Sequence, residues 1–320
     1  MRVLLTGSAG FIGFHTARAL LERGDEVIGF DNFNPYYDAT LKERRNAILE
    51  GYPRFRLVRG DLNDRGALDG AFDALGSGEG TRVCHLAAQA GVRHSIQNPE
   101  KFLRDNIDGF HQVISRCQQR AVESLVFAST SSVYGNNRDL VLSETSNTDG
   151  QASLYGMTKK ANELEASVYH SLYGLRATGL RFFTVYGPWG RPDMALFLFT
   201  DAILHGRPIS VFGHGQMRRD FTFVHDIVQG VLGALDRCLP FAILNLGRGK
   251  PEELMDFIAT IERCCGREAE KQFLPMQPGD VRQTYADVSR ARELLGYEPK
   301  CTIADGVPRF VEWYREYYGV

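Results

Sequence analysis

Tyr155 and Lys159 have the residue types and the spacing that acid–base chemistry requires. The apolar residues around them recur at helical spacing, so we predict a helix that begins near Leu154. Side chains four positions apart lie on the same face of a helix. A phenol with a pKa near about 10 is a poor base at neutral pH, but a nearby ammonium group would favour its ionised form. Such a tyrosine could remove a proton from a hydroxyl group and later return it.

By itself, a tyrosine followed by a lysine at this spacing is common, and a surface pair is the simpler interpretation. Three hydroxyl residues that follow an apolar run in the segment FASTSSVYG strengthen the chemical interpretation: Thr130, Ser131 and Ser132. The carboxyl ends of parallel strands are where open α/β sheets bind ligands. A polar turn remains the alternative for these three residues.

Short apolar runs alternate with helical patterns through the first half of the chain, which is typical of a parallel sheet covered by helices. Several runs are almost entirely apolar, as expected for strands buried on both faces. The predicted strands cover residues 3–6, 26–30, 55–58, 82–86, 125–128 and 178–183, and the predicted first helix covers residues 11–23. The fold class is therefore α/β, with a Rossmann-type doubly wound parallel sheet.

The pattern changes after about Tyr186, where Gly, Pro, Arg and aromatic residues dominate the segment GPWGRPDM. The elements beyond it are less regular, and we predict a smaller C-terminal α/β lobe that binds the substrate. The predicted domains are residues 1–184 and residues 185–320, with part of 223–246 joining the first domain. A chain of 320 residues is more naturally organised as two lobes than as one.

Gly7, Gly10 and Gly13 form a GxxGxxG pattern between the first predicted strand and the first predicted helix. Glycine tolerates the positive φ of a tight turn and lets the backbone approach a pyrophosphate closely. The helix that follows offers unpaired N–H groups and the positive end of its dipole. Glycine-rich turns are common, so it is the flanking strand and helix that make this loop indicate a dinucleotide site.

Asp31, at the end of the second predicted strand, supports a dinucleotide site. An acid there can accept hydrogen bonds from the adenosine ribose and repel a 2′-phosphate, so it predicts NAD rather than NADP. A turn or cap aspartate is the structural alternative. Asp61, in the GDL segment after the third strand, would suit an adenine contact, and a plain turn aspartate explains it nearly as well. The positive nicotinamide ring of NAD would further favour an ionised Tyr155.

The bulk composition argues against several function classes. The net charge is −2 and no long basic run occurs, so we expect neither a nucleic acid nor a membrane surface as a partner. No stretch approaches the roughly 18 apolar residues of a membrane helix. The eight histidines lack metal-ligand spacing, and we expect no metal site. The six cysteines are scattered without a CxxC pair, which is typical of reduced thiols in a cytoplasmic protein.

These motifs together resemble the extended short-chain dehydrogenase/reductase superfamily, and in particular its nucleotide-sugar epimerases. The resemblance runs along nearly the whole chain, through TGSAGFIG, the Asp31-Asn32 pair, HLAAQAGVRHS, FASTSSVYG, YGMTK, RFFTVYGPWGRPDMA, RDFTFVHD and PGDVRQTYAD. It implies a tightly bound NAD that is recycled, and a catalytic set of Tyr155, Lys159 and Thr130. The residues that the resemblance assigns to NAD are Gly7, Gly10, Phe11, Ile12, Gly13, Asp31, Asn32, Asp61, Leu62, Leu86, Ala87, Ala88, Tyr155 and Lys159.

Two segments point to one branch of the superfamily. Sequences that resemble 4,6-dehydratases carry Asp-Glu after the catalytic threonine, and UDP-glucuronate decarboxylases usually place Glu where Ser132 stands. RFFTVYGPWGRPDMA looks most like UDP-glucuronate 4-epimerases, whereas UDP-galactose epimerases typically have Asn where Thr184 stands. The resemblance assigns to a UDP-sugar the residues Ser131, Ser132, Thr184, Arg191, Phe212, Arg219, Asp280 and Arg282, and family members often have Pro near the last of these positions.

The resemblance implies inversion at C4 of a UDP-uronic acid, from UDP-glucuronate to UDP-galacturonate, through a transient 4-keto sugar. Neutral donors would hold the carboxylate, Arg191 would close over the sugar and Arg219 would contact the diphosphate. Phe212 would pack on uracil, with a core phenylalanine as the alternative. A UDP-glucose/galactose 4-epimerase is the runner-up activity, followed by a UDP-glucuronate decarboxylase. A cofactor-binding protein without activity is the non-enzymatic alternative.

Apolar stripes on the helices near residues 100–118 and 155–170 bear on the oligomeric state. In this superfamily two such helices from each subunit often build a four-helix interface, so the resemblance implies a homodimer. In a monomer the same stripes would be part of the core.

Overall fold

The computed structural model describes residues 1–276, 283 and 285–320. The strands, in chain order, are β1 (Arg2–Thr6), β2 (Glu26–Asp31), β3 (Phe55–Arg59), β4 (Gly78–His85), β5 (Val122–Thr130), β6 (Ala177–Phe182), β7 (Thr184–Tyr186), β8 (Ile209–Val211), β9 (Arg218–Arg219), β10 (Phe221–Phe223), β11 (Phe241–Leu246), β12 (Glu252–Glu253) and β13 (Lys271–Phe273). The helices are α1 (Phe11–Arg23), α2 (Ala39–Glu50), α3 (Arg65–Leu75), α4 (Val92–Gln97), α5 (Pro99–Phe102), α6 (Gly109–Gln119), α7 (Leu154–Tyr173), α8 (Ala195–Leu204), α9 (Val224–Arg237), α10 (Leu254–Cys265), α11 (Ser289–Leu295) and α12 (Ile303–Tyr318). A π-helical turn, Leu103–Asp108, joins α5 to α6, and 3₁₀ turns cover Ser131–Tyr134 and Phe212–Gly215.

The largest sheet in the described part of the chain has seven strands in the order β3-β2-β1-β4-β5-β6-β11. Every neighbouring pair is parallel. Val3, Leu4 and Leu5 of the central strand β1 have no exposed surface, as expected when helices cover both faces. The predicted doubly wound parallel sheet is therefore confirmed. Its strand order reverses between β1 and β4, and ligands of such folds bind in the crevice at this reversal.

The predicted first helix, residues 11–23, is confirmed as α1. It begins after Gly10 without a side-chain cap, so the N–H groups of its first turn are not bonded by a capping side chain. It ends at Gly24, whose φ of 94° is left-handed and whose N–H meets the carbonyls of Leu20 and Leu21. This geometry leaves the amino end of α1 open toward the crevice above β1.

The helix predicted to start near Leu154 is also confirmed, as α7. Ser153 caps it, because its side chain accepts a hydrogen bond from the N–H of Gly156 at 3.0 Å. Gly174, with a φ of 68°, ends the helix in the left-handed conformation. A well-defined start fixes the rotation of the helix, and with it the directions of Tyr155 and Lys159.

The C-terminal part of the chain forms a second hydrophobic core around α8, α10 and α12, rich in aromatic side chains. Short strand pairs surround it: β7 with β10, β8 with β13 and β9 with β12. After α9, β11 lies beside β6 in the large sheet. The domain division at residues 184/185, with part of 223–246 in the first domain, stays a prediction. Among the described residues, no helix has the length and apolarity needed to cross a membrane.

Candidate active site

The glycine loop packs directly against the turn that follows β4. Leu86 donates its N–H to the carbonyl of Thr6 at 3.1 Å, and Ala87 donates its own to Thr6 Oγ1 at 3.2 Å. A Cβ on Gly7, whose φ is 74°, would lie 2.7 Å from the nitrogen of Ala87. The structure thus brings the predicted cofactor residues Gly7, Leu86 and Ala87 together at the reversal of the sheet, while Ala88 is exposed beside them.

The loop itself is too tight for any side chain at Gly13. A Cβ there would lie 2.0 Å from the carbonyl oxygen of Gly7, and one on Gly10 would lie 3.0 Å from the same oxygen. Gly10 donates its N–H to that oxygen at 2.9 Å. Phe11 is buried and Ile12 half-buried at the start of α1. A loop with no room for a Cβ at Gly7 or Gly13, next to a helix start without a side-chain cap, fits the pyrophosphate of a dinucleotide.

Replacing Gly13 by alanine is expected to weaken NAD affinity by about tenfold or more. The added Cβ forces the loop to open, and this costs roughly 1–3 kcal/mol of strain energy. The measurement is the NAD content of the purified protein and the affinity of stripped protein by calorimetry. Gly70→Ala is the matched control, since a Cβ on Gly70 of α3 would meet nothing within 4 Å. Equal NAD content in the two variants would contradict the role of the loop.

Asp31 is buried and holds the glycine loop through a hydrogen bond. Its Oδ2 accepts the N–H of Ala9 at 3.1 Å, and its Oδ1 accepts that of Phe33 at 2.8 Å. Lys42 Nζ lies 3.9 Å from Oδ1. The alternative interpretation of Asp31, as a turn aspartate, therefore accounts for its two hydrogen bonds to backbone N–H groups. Its contact with an adenosine ribose stays a prediction.

Asn32 and Asp61 meet at the neighbouring strand ends. Asn32 donates its amide to Asp61 Oδ2 at 2.9 Å, and Asp61 Oδ1 accepts the N–H of Asn63 at 3.0 Å. Leu62 is buried beside them. Asp61 is thus a turn aspartate that also orients Asn32, and the adenine contacts of these residues remain to be tested.

His85, at the end of β4, is buried and lies 2.8 Å, Nδ1 to Oγ1, from Thr6. Burial, with the charge of Lys159 as a smaller cause, lowers the pKa of His85 to about 3. An unfolded chain would protonate this ring near pH 6.5, and the folded protein does not. The stability that the neutral ring supports is therefore present above pH 6.5 and is lost as the pH falls toward 3.

We expect His85→Asn to reduce the loss of stability between about pH 7.5 and pH 5 by about 2 kcal/mol relative to the unaltered protein. Urea unfolding at the two pH values measures this difference. His111→Asn, at an exposed ring on α6, is the comparison variant, because it replaces a surface histidine by the same residue. If both variants lost as much stability as the unaltered protein, His85 would not be the group that titrates.

Tyr155, Thr130 and Ser132 form one polar cluster at the carboxyl end of β5. The side chain of Thr130 lies close enough to the hydroxyl of Tyr155 to lower the pKa of the phenol. Thr130 Oγ1 in turn accepts the N–H of Ser132 at 3.2 Å and donates to Ser132 Oγ at 3.3 Å. Ser131 is half-buried at the start of the 3₁₀ turn. The hydroxyl cluster predicted from FASTSSVYG thus lies against the predicted tyrosine.

The electrostatics of this cluster differ from the expectation in one respect. Burial raises the pKa of Tyr155, and the cation that opposes this shift is Arg191, together with the neighbouring side chain of Thr130. Lys159, which was expected to do so, is only 1% exposed, and burial lowers its own pKa to about 8. A buried ammonium group loses its hydration, and this favours its neutral form. An added positive charge, as NAD carries on nicotinamide, would favour ionisation of Tyr155.

Arg191 lies close enough to the phenol to affect its pKa, and it is held from the other side by Asp193. Nε bonds Asp193 Oδ1 at 3.0 Å and Nη2 bonds Oδ2 at 2.6 Å. Tyr36 donates its hydroxyl to the same carboxylate at 3.3 Å. Arg191 and Thr184 also line one small, mainly apolar cavity with Phe11. The structure therefore brings the predicted residues Arg191 and Thr184 to the same side of the site as Tyr155.

The remaining predicted substrate residues are more dispersed. Phe212 is half-buried, and the guanidinium of Arg93 lies 5.4 Å from the centre of its ring. Arg219 is half-buried on β9 and donates to the carbonyl of Arg218 at 3.0 Å. Asp280 and Arg282 lie outside the described residues. Phe212 thus contacts Arg93 of α4, and α4 packs against the helix α7 that carries Tyr155.

Sequence reasoning missed three residues around the site: Tyr36, Arg93 and Asp193. The ring of Tyr36 lies 4.5 Å from that of His94, and His94 lies 5.7 Å from Phe102, which contacts Tyr155. Arg93 and His94 belong to the HLAAQAGVRHS segment, so that motif was a usable signal. Asp193 lies in the quoted RFFTVYGPWGRPDMA segment, so it had a local signal as well. Tyr36 had none, because it reaches Asp193 across a long separation in the chain.

A seven-stranded parallel sheet with this loop places the chain among Rossmann-type dinucleotide-binding proteins. A family model for the NAD dependent epimerase/dehydratase family matches residues 3–247. The chain belongs to this family, and the predicted superfamily, the α/β fold and the dependence on NAD are confirmed at this level.

Relatives of this chain share its full length. It is 45% identical to a probable UDP-glucuronate 4-epimerase of Rhizobium meliloti, over 99% of this chain and 98% of that protein. It is 45% identical to UDP-glucuronate 4-epimerase 3 of Arabidopsis thaliana, over 99% of this chain and 77% of that protein. The crystal structure of UDP-glucuronic acid 4-epimerase from Bacillus cereus in complex with UDP-glucuronic acid and NAD is 34% identical, with a TM-score of 0.91 and coverage of 99% and 100%.

Proposed function

We propose that this protein is an NAD-dependent UDP-glucuronate 4-epimerase, which interconverts UDP-glucuronate and UDP-galacturonate. The observation that carries the proposal is the polar cluster of Tyr155, Thr130 and Ser132 in a chain of this family. Ser131 and Ser132 stand where related dehydratases and decarboxylases place acidic residues, so the site lacks the groups for water elimination. Full-length relatives with this activity support the substrate.

In the proposed reaction, Tyr155 is the acid–base group. Its oxygen takes the proton from O4 of the sugar and later returns it, and Thr130 supplies a hydrogen bond to the same region. The chemistry supplied by bound NAD is reversible acceptance of a hydride from C4. Lys159 holds the nicotinamide ribose below the tyrosine. The 4-keto sugar turns about its bond to the diphosphate between the two transfers, and C4 is thereby inverted.

The uronate carboxylate needs separate control, because a 4-keto uronic acid is a β-keto acid that could lose CO₂. We assign the binding of the carboxylate to the hydroxyls of Ser131, Ser132 and Thr184, which are neutral hydrogen-bond donors. Arg191, already close to Tyr155, would close over the sugar. Holding the carboxylate out of line with the carbonyl π-system would suppress decarboxylation.

The nucleotide would lie further along the cleft. Phe212 would pack on uracil and Arg219 would grip the diphosphate, since its planar fork can bind two oxygens at once. The roles of Asp280 and Arg282 stay predictions. The NAD contacts of residues at the glycine loop and at the ends of β2, β3 and β4 belong to the same proposal.

The proposal is tested by incubating the purified protein with UDP-glucuronate, without and with added NAD, while NMR follows the C4 proton of the sugar. UDP-galacturonate at constant carboxylate content is the expected product. A pentose with CO₂ would reject the assigned protection of the carboxylate. Turnover of UDP-galactose alone would retain the tyrosine chemistry and reject the uronate specificity. No reaction with any nucleotide sugar would favour a non-enzymatic cofactor-binding protein.

We further propose a homodimer formed through the outer face of α7. Leu164 is 58% exposed, Val168 51% and Leu172 67%, and they follow one another at helical spacing. A contiguous apolar face of this kind is typical of a surface that another chain covers. By contrast, the apolar residues of α6 are buried in the core. Unpaired cysteines agree with a cytoplasmic location, where thiols stay reduced.

Sedimentation measurements test the homodimer. The unaltered protein should sediment as two subunits and Val168→Glu as one, because a charge at the centre of the α7 face would lose its hydration in the interface. Leu140→Glu is the control, since Leu140 is 73% exposed in a loop away from α7. A single subunit for the unaltered protein at working concentration would reject the dimer.

A further inference from the structure

Arg45, on α2, connects two loops that are distant in sequence. Its side chain is completely buried. Nη1 donates to the carbonyl of Ala9 in the glycine loop at 3.0 Å. Nη2 donates to the carbonyl of Trp189 at 2.5 Å and lies 3.4 Å from that of Gly190. One guanidinium group therefore bridges the dinucleotide loop and the backbone immediately before Arg191.

His15, on α1, holds the same backbone one residue earlier. Its Nε2 lies 2.8 Å from the carbonyl oxygen of Pro188. A carbonyl only accepts, so Nε2 must carry the hydrogen. Burial is the largest cause that lowers the pKa of His15 to about 3, and the charge of Arg45 adds to it, so the ring is neutral at physiological pH. Side chains of α1 and α2 thus contact the carbonyl oxygens of three consecutive residues, 188–190.

The backbone of residues 188–190 is strained at Trp189. Trp189 has a φ of 60°, a left-handed conformation that bulky residues rarely adopt. Its ring lies 5.6 Å from that of Phe14 and 5.3 Å from that of Trp313, centre to centre. Such a conformation persists only where surrounding contacts over-determine it. The hydrogen bonds to Arg45 and His15, with this ring packing, provide that constraint.

The charge of Arg45 is also unusual for its position. Buried charges are ordinarily paired with an opposite charge. Within residues 1–276, 283 and 285–320, Arg45 forms hydrogen bonds to carbonyl oxygens and a 3.5 Å contact to the hydroxyl of Tyr37, but no ion pair. A neutral clamp could hold the same carbonyls. A cation bonded to the glycine loop would in addition favour an anion bound on that loop.

We propose that Arg45, assisted by His15, is a positioning residue that ties the 188–190 backbone to the dinucleotide loop and thereby places Arg191 over the sugar. The inference rests on the proposed function. Arg45 touches neither substrate nor reacting atoms and acts through Arg191. Binding of the cofactor and placement of the substrate arginine are coupled through this one side chain.

Arg45→Met tests the proposal, because methionine fills much of the same volume but makes none of the bonds. We expect kcat/KM for UDP-glucuronate to fall by about 100-fold, mostly through KM, since a misplacement of about 1 Å has effects of this size. In an Arg191→Ala background, assayed at saturating NAD, the same substitution should change kcat/KM little, because its effect on the sugar site passes through Arg191. Arg45→Lys should recover only part of the loss, since a lysine lacks the planar fork.

The matched control is Arg116→Met. Arg116 is a buried arginine on α6 that donates to the carbonyl of Gln112 at 3.0 Å and pairs with Asp69, away from both loops. The Arg116→Met variant should have a lower free energy of unfolding without a selective rise in KM for UDP-glucuronate. Hydrogen exchange supplies a readout that needs no substrate. In the 188–194 segment, the amides of residues 189–191, 193 and 194 (Pro188 and Pro192 have no N–H) should exchange faster in Arg45→Met than in Arg116→Met, and the purified protein should retain less NAD.

The outcomes separate the two proposals. An unaltered protein that does not turn over UDP-glucuronate rejects the proposed function, and the exchange of amides 188–194 still decides whether Arg45 fixes the loop. An active protein in which Arg45→Met matches Arg116→Met in KM and in exchange rejects the role of Arg45. If Arg45→Met lowers kcat/KM equally in the unaltered protein and in the Arg191→Ala background, the proposed coupling through Arg191 is rejected. Should Arg45→Met fail to fold, the same comparisons are made with Arg45→Lys.

Discussion

Tyr155→Phe should lower kcat by about 10²–10⁴-fold and leave the fold and the NAD content unchanged. The substitution removes one oxygen, which in the structure lies near Thr130 at the carboxyl end of β5. Without that oxygen the cluster lacks the group assigned both to accept the O4 proton and to return it to O4 as C4 is inverted. KM should change much less, because the ring that packs against Phe102 is retained.

The measurement is steady-state turnover of UDP-glucuronate, with NAD content determined on the same preparations. Tyr169→Phe, on the same helix, is the matched control and should keep near-normal turnover. A single-turnover experiment adds a second test, since Tyr155→Phe should also fail to reduce bound NAD. If Tyr155→Phe turned over at a rate close to the control, another residue would have to be the acid–base group.

The residues of the site that sequence predicted well are those whose signal is local. Gly7 and Gly13 are recognisable because a turn between a strand and a helix needs them within a few positions. Tyr155 and Lys159 are recognisable because the helical repeat places them on one face. Strand composition likewise indicated burial on both faces, which the unexposed residues of β1 confirm.

The residues that sequence did not predict act across long separations. Arg45 lies in the LKERRN segment, where a run of charges on a helix is ordinarily a solvated face. The structure instead buries Lys42, Arg45 and Asn46 of α2. The partners of Arg45 are the glycine loop and the 188–190 backbone, and no periodicity within α2 indicates either. Asp31 shows the same limit, since its spacing indicated a ribose contact but not its bond to Ala9.

The electrostatic expectation failed for a related reason. Spacing on a helix predicted that the ammonium of Lys159 would lower the pKa of Tyr155, but spacing carries no information about burial. Once β-strands and α5 enclose the helix start, burial raises the pKa of Tyr155 and lowers that of Lys159. The cation that acts on the phenol, Arg191, comes from the loop that Arg45 holds.

Arg181→Met should destabilise the protein by about 3–5 kcal/mol, because it leaves a buried carboxylate without its partner. Arg181 of β6 and Glu163 of α7 are each 3% exposed, and their two hydrogen bonds are both 2.8 Å long. Ser129 of β5 donates to the same carboxylate at 2.6 Å. Unfolding in urea measures the change, and Arg59→Met, at an exposed pair with Glu43, should change stability by no more than about 1 kcal/mol.

The double variant Arg181→Met with Glu163→Met separates the two sources of this effect. If the loss comes from the unpaired carboxylate, removing Glu163 as well should restore much of the stability, since a packed apolar pair avoids the burial of charge. Additive losses would instead mean that each side chain stabilises the fold by itself. Ser129 precedes Thr130, so the specific activity of Arg181→Met should also fall by more than its loss of folded protein explains. The double variant, which removes the partner of Ser129, should keep that deficit even where its stability recovers.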